Sequence, residues 1–359
     1  MPSSRLRPFV RLALAAIPVA VLGGLAVAPA HASVSAPVTD VPVTDVPVSD
    51  VPVTDAPVAG APVADDPSAE HRGRYVALGD SYASGFGLEP YSSLPVAGCL
   101  QSEVDYPHRV ADALELRVTD VTCAGASTAN VIDTPQRTAS GLLAPPQSDA
   151  LSTRTEVVTL TIGGNDLGFS TVLPQCLAAS AAGPLLGDPS VPNCESVLAP
   201  GGLDTLALRL RDEVLPAVSG ALEVIAEKAP FAIVVVVGYP SIFPSPADTP
   251  EGGCFVPAFG DGTPPFPENS FPFTDVDTAY FHRTQAALEA GLGQVAAEHG
   301  ATFVPAMARS AGHEPCGTDA WVNGLTFTSP VAVRDGGLHP NEAGVAFLTE
   351  EVATAVAGR

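Results

Sequence analysis

Five consecutive β-branched residues, Ile233-Val-Val-Val-Val237, form a run without polar alternation. A strand with one face in water alternates apolar and polar side chains, whereas an unbroken run suits a strand buried on both faces inside a parallel sheet. Shorter runs of similar character occur at 74–78, 116–121, 156–162 and 302–304, and helical patterns separate them at 106–114, 203–228, 277–299 and 341–357. Strand, helix, strand in regular succession predicts an α/β domain built as a three-layer α/β/α sandwich over residues 72–359. In such domains the reacting groups collect on loops that follow the carboxyl ends of strands, so chemistry is sought there.

The first 71 residues are organised differently. Arg5, Arg7 and Arg11 precede an apolar run over 12–28, and Ala30-His31-Ala32 supplies the small residues of a signal-peptidase site. This predicts a secretory signal peptide over 1–32, since a membrane anchor needs about 20 apolar residues and would not end in Pro29. The chain lacks an adjacent Arg pair in this segment, which favours the general secretory route. Over 36–65 a five-residue unit repeats six times, as APVTD, VPVTD, VPVSD, VPVTD, APVAG and APVAD. Proline every five residues forbids helix and disfavours a central strand, while the aspartates repel one another. The expectation is a disordered, extended linker over 33–71, either a tether to a cell wall or another surface or a tolerated low-complexity insertion.

Charge and cysteine usage narrow the function. With 39 acidic against 16 basic residues the formal net charge is −23, which excludes nucleic acid as a partner because phosphate binding depends on Lys and Arg. Six cysteines, at 99, 123, 176, 194, 254 and 316, are an even count in an exported chain and suggest three disulfides, with about 15 pairings open. Sequential pairing is the simplest of these. No CxxC pair and no HExxH motif occurs, so neither a metal nor a cofactor is expected.

Four segments carry candidate chemistry. The first strand runs into Gly79-Asp80-Ser81-Tyr82, where Gly79 permits a sharp strand-to-helix turn that exposes the Ser81 hydroxyl. The second leads into Cys123-Ala124-Gly125-Ala126-Ser127, in which Gly125 can present its N–H unobstructed. The third leads into Gly163-Gly164-Asn165-Asp166, from which Asn165 can aim a neutral amide donor into a site. The last is Asp335-Gly336-Gly337-Leu338-His339-Pro340-Asn341, where Pro340 suits a first helical turn and leaves His339 on the preceding loop. Taken alone, the Ser81 segment is more often an ordinary turn or cap, the Gly125 and Asn165 segments read as ordinary turns, and a lone loop histidine such as His339 is more often simply solvated.

Together, Gly79-Asp80-Ser81, Gly125, Gly164-Asn165-Asp166 and His339-Pro340 resemble, in the right order, the conserved blocks of the SGNH hydrolases, the GDSL-type lipases and esterases. The resemblance spans about 71–359. Gly238-Tyr239-Pro240, and Cys123 two residues before Gly125, look like the secreted bacterial lipases of that family with three disulfides. The resemblance implies a flavodoxin-like sheet of five parallel strands and the pairings Cys99 with Cys123, Cys176 with Cys194 and Cys254 with Cys316. It further implies Ser81 as nucleophile, His339 as general base, and the Ser81 N–H, Gly125 N–H and Asn165 amide as an oxyanion hole. Asp80 and Asp166 are read as structural, holding turns. One position departs from the family: its acidic orienter usually lies three residues before the histidine, where this chain has Gly336. Asp335 lies one residue further back, and we favour the Gly337 main-chain carbonyl as orienter over it.

The leading expectation is therefore a secreted serine carboxylic ester hydrolase, a lipase, esterase or phospholipase acting on small or lipid acyl esters, monomeric and without stable membrane insertion. The alternatives are a polysaccharide O-deacetylase on the same fold and a non-catalytic cell-surface binding protein that retains the fold. Acyl-chain preference is expected in the connection over 241–274, where Phe243, Phe255, Phe259, Phe266, Phe271 and Phe273 either line an apolar groove or pack around the Cys254 bridge.

Overall fold

The computed structural model describes residues 73–359. The signal read over 1–32 and the linker read over 33–71 lie outside the described residues. Five strands, β1 (Arg74–Gly79), β2 (Arg117–Asp120), β3 (Val157–Thr161), β4 (Ile233–Val237) and β5 (Thr302–Val304), form one parallel sheet in the order β2-β1-β3-β4-β5. That is the flavodoxin-like order. Each strand begins and ends within one or two residues of its expected limits.

The unbroken apolar run behaves as its composition requires. Val235, Val236 and Val237 are at most 1% exposed, and burying each contributes about 1.5–3 kcal/mol. Val236 belongs to one apolar cluster with Leu78 and Leu160 of the sheet, Leu222 and Ile225 of helix α2 (Leu215–Lys228), and Leu288 and Leu292 of α3 (Asp275–Glu298). Val235 and Val237 belong to the other, with Tyr75, Val110 of α1 (Tyr106–Ala113), and Val345 and Val352 of α4 (Glu342–Ala357). Two helices thus cover each face, which completes the three layers.

Three helix boundaries differ from the sequence reading. The expected helix over 203–228 is a short turn, Thr205–Arg209, then a wide π segment, Leu210–Val214, before α2 begins. Pro216, in the first turn of α2, has no N–H and its ring crowds the preceding carbonyls; a widened turn absorbs that mismatch. α3 starts two residues early because Thr274 caps it, accepting from Asp277 N at 2.9 Å. α4 is capped by Asn341, whose side chain accepts from Ala343 N and Gly344 N, so Pro340 precedes the helix instead of opening it.

The three disulfides are Cys99–Cys123, Cys176–Cys194 and Cys254–Cys316, the pairing implied by the resemblance. The last closes the longest loop, with a sequence separation of 62, for which chain-entropy arguments allow about 4 kcal/mol. Among the described residues no helix is long and apolar enough to cross a membrane.

Candidate active site

The strand order reverses direction between β1 and β3, so the loops leaving these neighbours diverge and open a crevice at the carboxyl edge of the sheet. Ser81 follows β1 and Asn165 follows β3, and both line that crevice. Gly79 makes the close approach possible: with φ at +150°, a Cβ there would meet the Thr161 carbonyl oxygen at 2.6 Å. The amide of Gln147 clamps the same residue, accepting from Gly79 N at 2.7 Å and donating to Gly79 O at 2.9 Å. No helix starts at Ser81. The chain runs instead through turns over 81–87, with Ser84 N donating to Asp80 O and Phe86 N to Ser81 O, because Gly85 and Gly87 take positive φ and cannot continue a helix.

Ser81 Oγ lies 2.7 Å from His339 Nε2, and His339 Nδ1 lies 2.8 Å from the Gly337 carbonyl oxygen. The carbonyl has no proton, so Nδ1 carries the hydrogen and Nε2 is left to accept the Ser81 hydroxyl. Asp335 is exposed, beside Tyr91, and makes no hydrogen bond to the ring. Part of His339 opens onto the crevice, but its ring is flanked by Tyr82, with centroids 4.6 Å apart, and by Phe86 at 5.1 Å, edge-on. This enclosure pushes the imidazole down to about 4, opposed only in part by the Gly337 carbonyl. The ring is therefore neutral, and able to take a proton, at ordinary pH.

The donors form a second group. Gly163 takes φ +113° at the end of β3 and starts a one-turn helix, Gly164–Leu167, that carries Asn165. Asn165 Nδ2 donates one N–H to Ala126 O at 3.0 Å, which turns its other N–H free of the loop. Asp166 accepts from Thr128 N and from its hydroxyl, so this carboxylate ties the loop after β3 to the segment that follows Gly125. The Ser81 and Gly125 N–H groups donate to no protein group among the described residues. Ser81 and Asn165 line the crevice with His339, while Gly125 is not among its lining residues and is tied to it through Ala126, which Asn165 holds; donors beside a hydroxyl and a neutral imidazole suit negative charge on a substrate oxygen.

Two tyrosines, unassigned from sequence, hold these parts in register. Tyr82 donates its hydroxyl to Leu338 O, next to His339. Tyr239 donates to Asp80 Oδ2 at 2.6 Å and accepts from Gly164 N at 2.9 Å, and its ring meets Tyr82 edge-on. Asp80 also accepts from Tyr82 N at 3.0 Å. Burial pushes the Asp80 carboxyl up to about 7 against these hydrogen bonds. The adjacency of Tyr82 to Ser81 and the Gly-Tyr-Pro turn after β4 were the available signals, but neither reveals a partner far away in sequence.

The crevice leads into a cavity of about 350 Å³ whose walls include Phe86, Phe169, Leu173, Leu177, Phe273 and Phe327. Of the six rings expected to line a groove or pack a loop, only Phe273 reaches it. Phe243 and Phe273 pack with Phe281 of α3 and with Phe271, and Phe259 packs with Phe266 and Phe327. A Pro-rich connection cannot bury itself through a helical face, so its rings build a local core. A two-stranded ribbon, Phe327–Ser329 with Ala332–Val333, also borders the cavity; its strands are too short for alternation to show in sequence.

Residues 77–347 match the family model described as GDSL-like lipase/acylhydrolase. The chain is 35% identical over 282 residues to Lipase 2 of Streptomyces coelicolor, covering 77% of this chain and 83% of that protein. It is 28% identical over 305 residues to an esterase of Streptomyces scabiei, covering 77% and 84%. Among solved structures, phospholipase A1 of Streptomyces albidoflavus NA297 is similar with a TM-score of 0.60 at 26% identity, over 79% of this chain and 99% of that one.

Proposed function

Since this chain belongs to the GDSL-like lipase/acylhydrolase family and is a carboxylic ester hydrolase, we propose that it works through an acyl-enzyme on Ser81 with His339 as general base. The observation that carries this is the unbroken line from Ser81 Oγ through the imidazole to the Gly337 carbonyl. Ser81 Oγ attacks the ester carbonyl carbon while its proton passes to His339 Nε2. The negative charge that forms on the carbonyl oxygen is met by the Ser81 N–H, the Gly125 N–H and the Asn165 amide. Collapse of the tetrahedral intermediate expels the alcohol, which takes the proton from Nε2. Water then repeats the sequence on the acyl-serine, releasing the carboxylic acid and restoring Ser81. The Gly337 carbonyl holds the tautomer and supports the imidazolium by its dipole, the task an aspartate performs in a triad.

Two expectations follow from that geometry. Asp335→Asn leaves turnover essentially unchanged in a steady-state ester assay; an orienting aspartate lost in this way would cost about 10⁴. The acid limb of kcat/KM for the free enzyme lies near pH 4, not near the ordinary histidine value of 6.5. The sign follows from protonation, since the imidazolium cannot act as base and activity falls as pH drops through the depressed value. Stability moves the same way: the unfolded chain takes up that proton first, so this group's contribution is complete above pH 6.5 and is lost as pH falls toward 4. A limb at 6.5 would mean that the ring is not shielded as described.

We assign lipid acyl esters as substrates, supported by an apolar cavity of about 350 Å³, within the range of about 300–1,000 Å³ typical of ligand sites and larger than an acetyl group requires. A p-nitrophenyl ester series from acetate to palmitate tests this, with rates expected to rise beyond acetate. Activity confined to acetate would instead support the polysaccharide O-deacetylase reading. Since the chain is an ester hydrolase, the non-catalytic surface-protein reading falls away. Export is supported by the pairing of all six cysteines, which belongs to an oxidising compartment.

A further inference from the structure

We propose that Asp105, His108 and Asp120 bind one divalent transition-metal ion of the zinc or manganese class, at a site separate from the ester-hydrolysing centre and independent of it. The sequence expectation of no metal rested on the lack of closely spaced ligand motifs. These three come together because Asp105 caps α1, His108 lies in its first turn, and Asp120 ends the adjacent strand β2.

The two carboxylates are each half satisfied. Asp105 Oδ1 accepts from His108 N at 2.9 Å and faces His108 Nδ1 at 2.8 Å. Asp120 Oδ1 accepts from Gln101 Nε2 at 2.8 Å, Thr122 N at 2.9 Å and Thr122 Oγ1 at 2.7 Å. The other oxygen of each, Asp105 Oδ2 and Asp120 Oδ2, is buried with no hydrogen-bond partner, on side chains only 0% and 3% exposed. Two bare carboxylate oxygens in such a setting are costly unless positive charge faces them. One imidazole, shared at 2.8 Å and 3.6 Å, supplies at most a single charge for two carboxylates.

A ligand atom from each of the three residues lies within 4.8 Å of the others. Donors on a tetrahedral zinc stand about 3.4 Å apart; His108 Nδ1 lies 2.8 Å from Asp105 Oδ1 and 3.6 Å from Asp120 Oδ2, so binding requires side-chain adjustment of about 1 Å at the widest pair. Two carboxylate oxygens and one imidazole nitrogen suit zinc or manganese better than copper(I), which prefers sulfur. The His108 side chain is 35% exposed and provides the route of entry. On binding, the hydrogen between Nδ1 and Asp105 is released to solvent, and water fills the remaining coordination positions. The ion would brace the molecule behind the crevice. Asp105 packs under Gly85, where an added Cβ would meet its Cβ at 2.8 Å, and Asp120 holds Thr122, which leads into the Gly125 loop.

The test uses the full chain, stripped with chelator and dialysed against zinc or manganese chloride. Wild type is expected to retain one ion per chain and to melt at a higher temperature with it, while Asp120→Asn and His108→Gln bind at least about tenfold more weakly and gain no thermal shift. Anomalous scattering from zinc-soaked wild-type crystals, which needs no variant, places the ion between Asp105 and Asp120. Failure of wild type to hold a stoichiometric ion, a peak elsewhere, or unchanged binding by folded variants would overturn the proposal. So would a metal-free Asp120→Asn that melts above wild type while added metal leaves wild type unmoved, since the bare oxygens would then share a proton.

Discussion

Ser81→Ala lowers kcat for ester hydrolysis by about 10⁶ while the variant keeps the melting temperature of the wild type. The size follows from the unit that Ser81 and His339 form: removing either member of a nucleophile–base pair costs about as much as removing both, on the order of 10⁶. His339→Ala should therefore fall to a similar level, and the double variant little further. Fold stability is spared because the Ser81 hydroxyl makes one hydrogen bond, to His339 Nε2, at the edge of a crevice. The turn that carries it is held by the backbone bonds of Asp80, Ser84 and Phe86. Steady-state kinetics beside a thermal melt checks both statements.

Asn165→Ala is the next largest effect, a fall of about 10² to 10³ in kcat with KM little altered, the cost of one oxyanion donor at roughly 2.7–4 kcal/mol. The split between the two constants is the informative part. The donor meets full negative charge only in the tetrahedral state, so ground-state binding should barely notice its loss. Asn165 Nδ2 also holds Ala126 O, but Asp166 ties the same two loops through Thr128, so the crevice should keep its shape. A rise in KM at constant kcat would instead make Asn165 a substrate-binding residue.

The parts legible in sequence were those imposed by local chemistry. The central strands could be read because a parallel sheet buries both their faces and leaves apolar runs such as Ile233-Val-Val-Val-Val237, while the edge strand Arg117–Asp120, with alternate residues exposed, was legible only through its β-branched residues and its place between helical stretches. The loops that carry Ser81, Asn165 and His339, which the fold brings to one crevice, could be placed because each follows a strand end or precedes a helix, and small residues mark those turns. The Gly337 carbonyl, favoured from sequence over Asp335 as the partner of His339, lies 2.8 Å from Nδ1, although it has no side chain to announce it. What remained hidden depends on partners far away in the chain. Tyr239 joins Asp80 to Gly164 across 159 and 75 residues, and no pattern near Tyr239 records either contact. The phenylalanines over 241–274 looked like a groove by composition, yet most form a core of their own. The cavity walls come instead from segments as distant as Phe86, Leu173 and Phe327.

In the proposed reaction the acyl group passes through Ser81. Mass spectrometry of the enzyme quenched during turnover of a slowly deacylating p-nitrophenyl ester tests it most directly. One acyl adduct per chain is expected, on the peptide that contains Ser81, appearing with a burst of one equivalent of p-nitrophenol and absent from Ser81→Ala. Turnover without any adduct, or an adduct on a different residue that persists in Ser81→Ala, would contradict it.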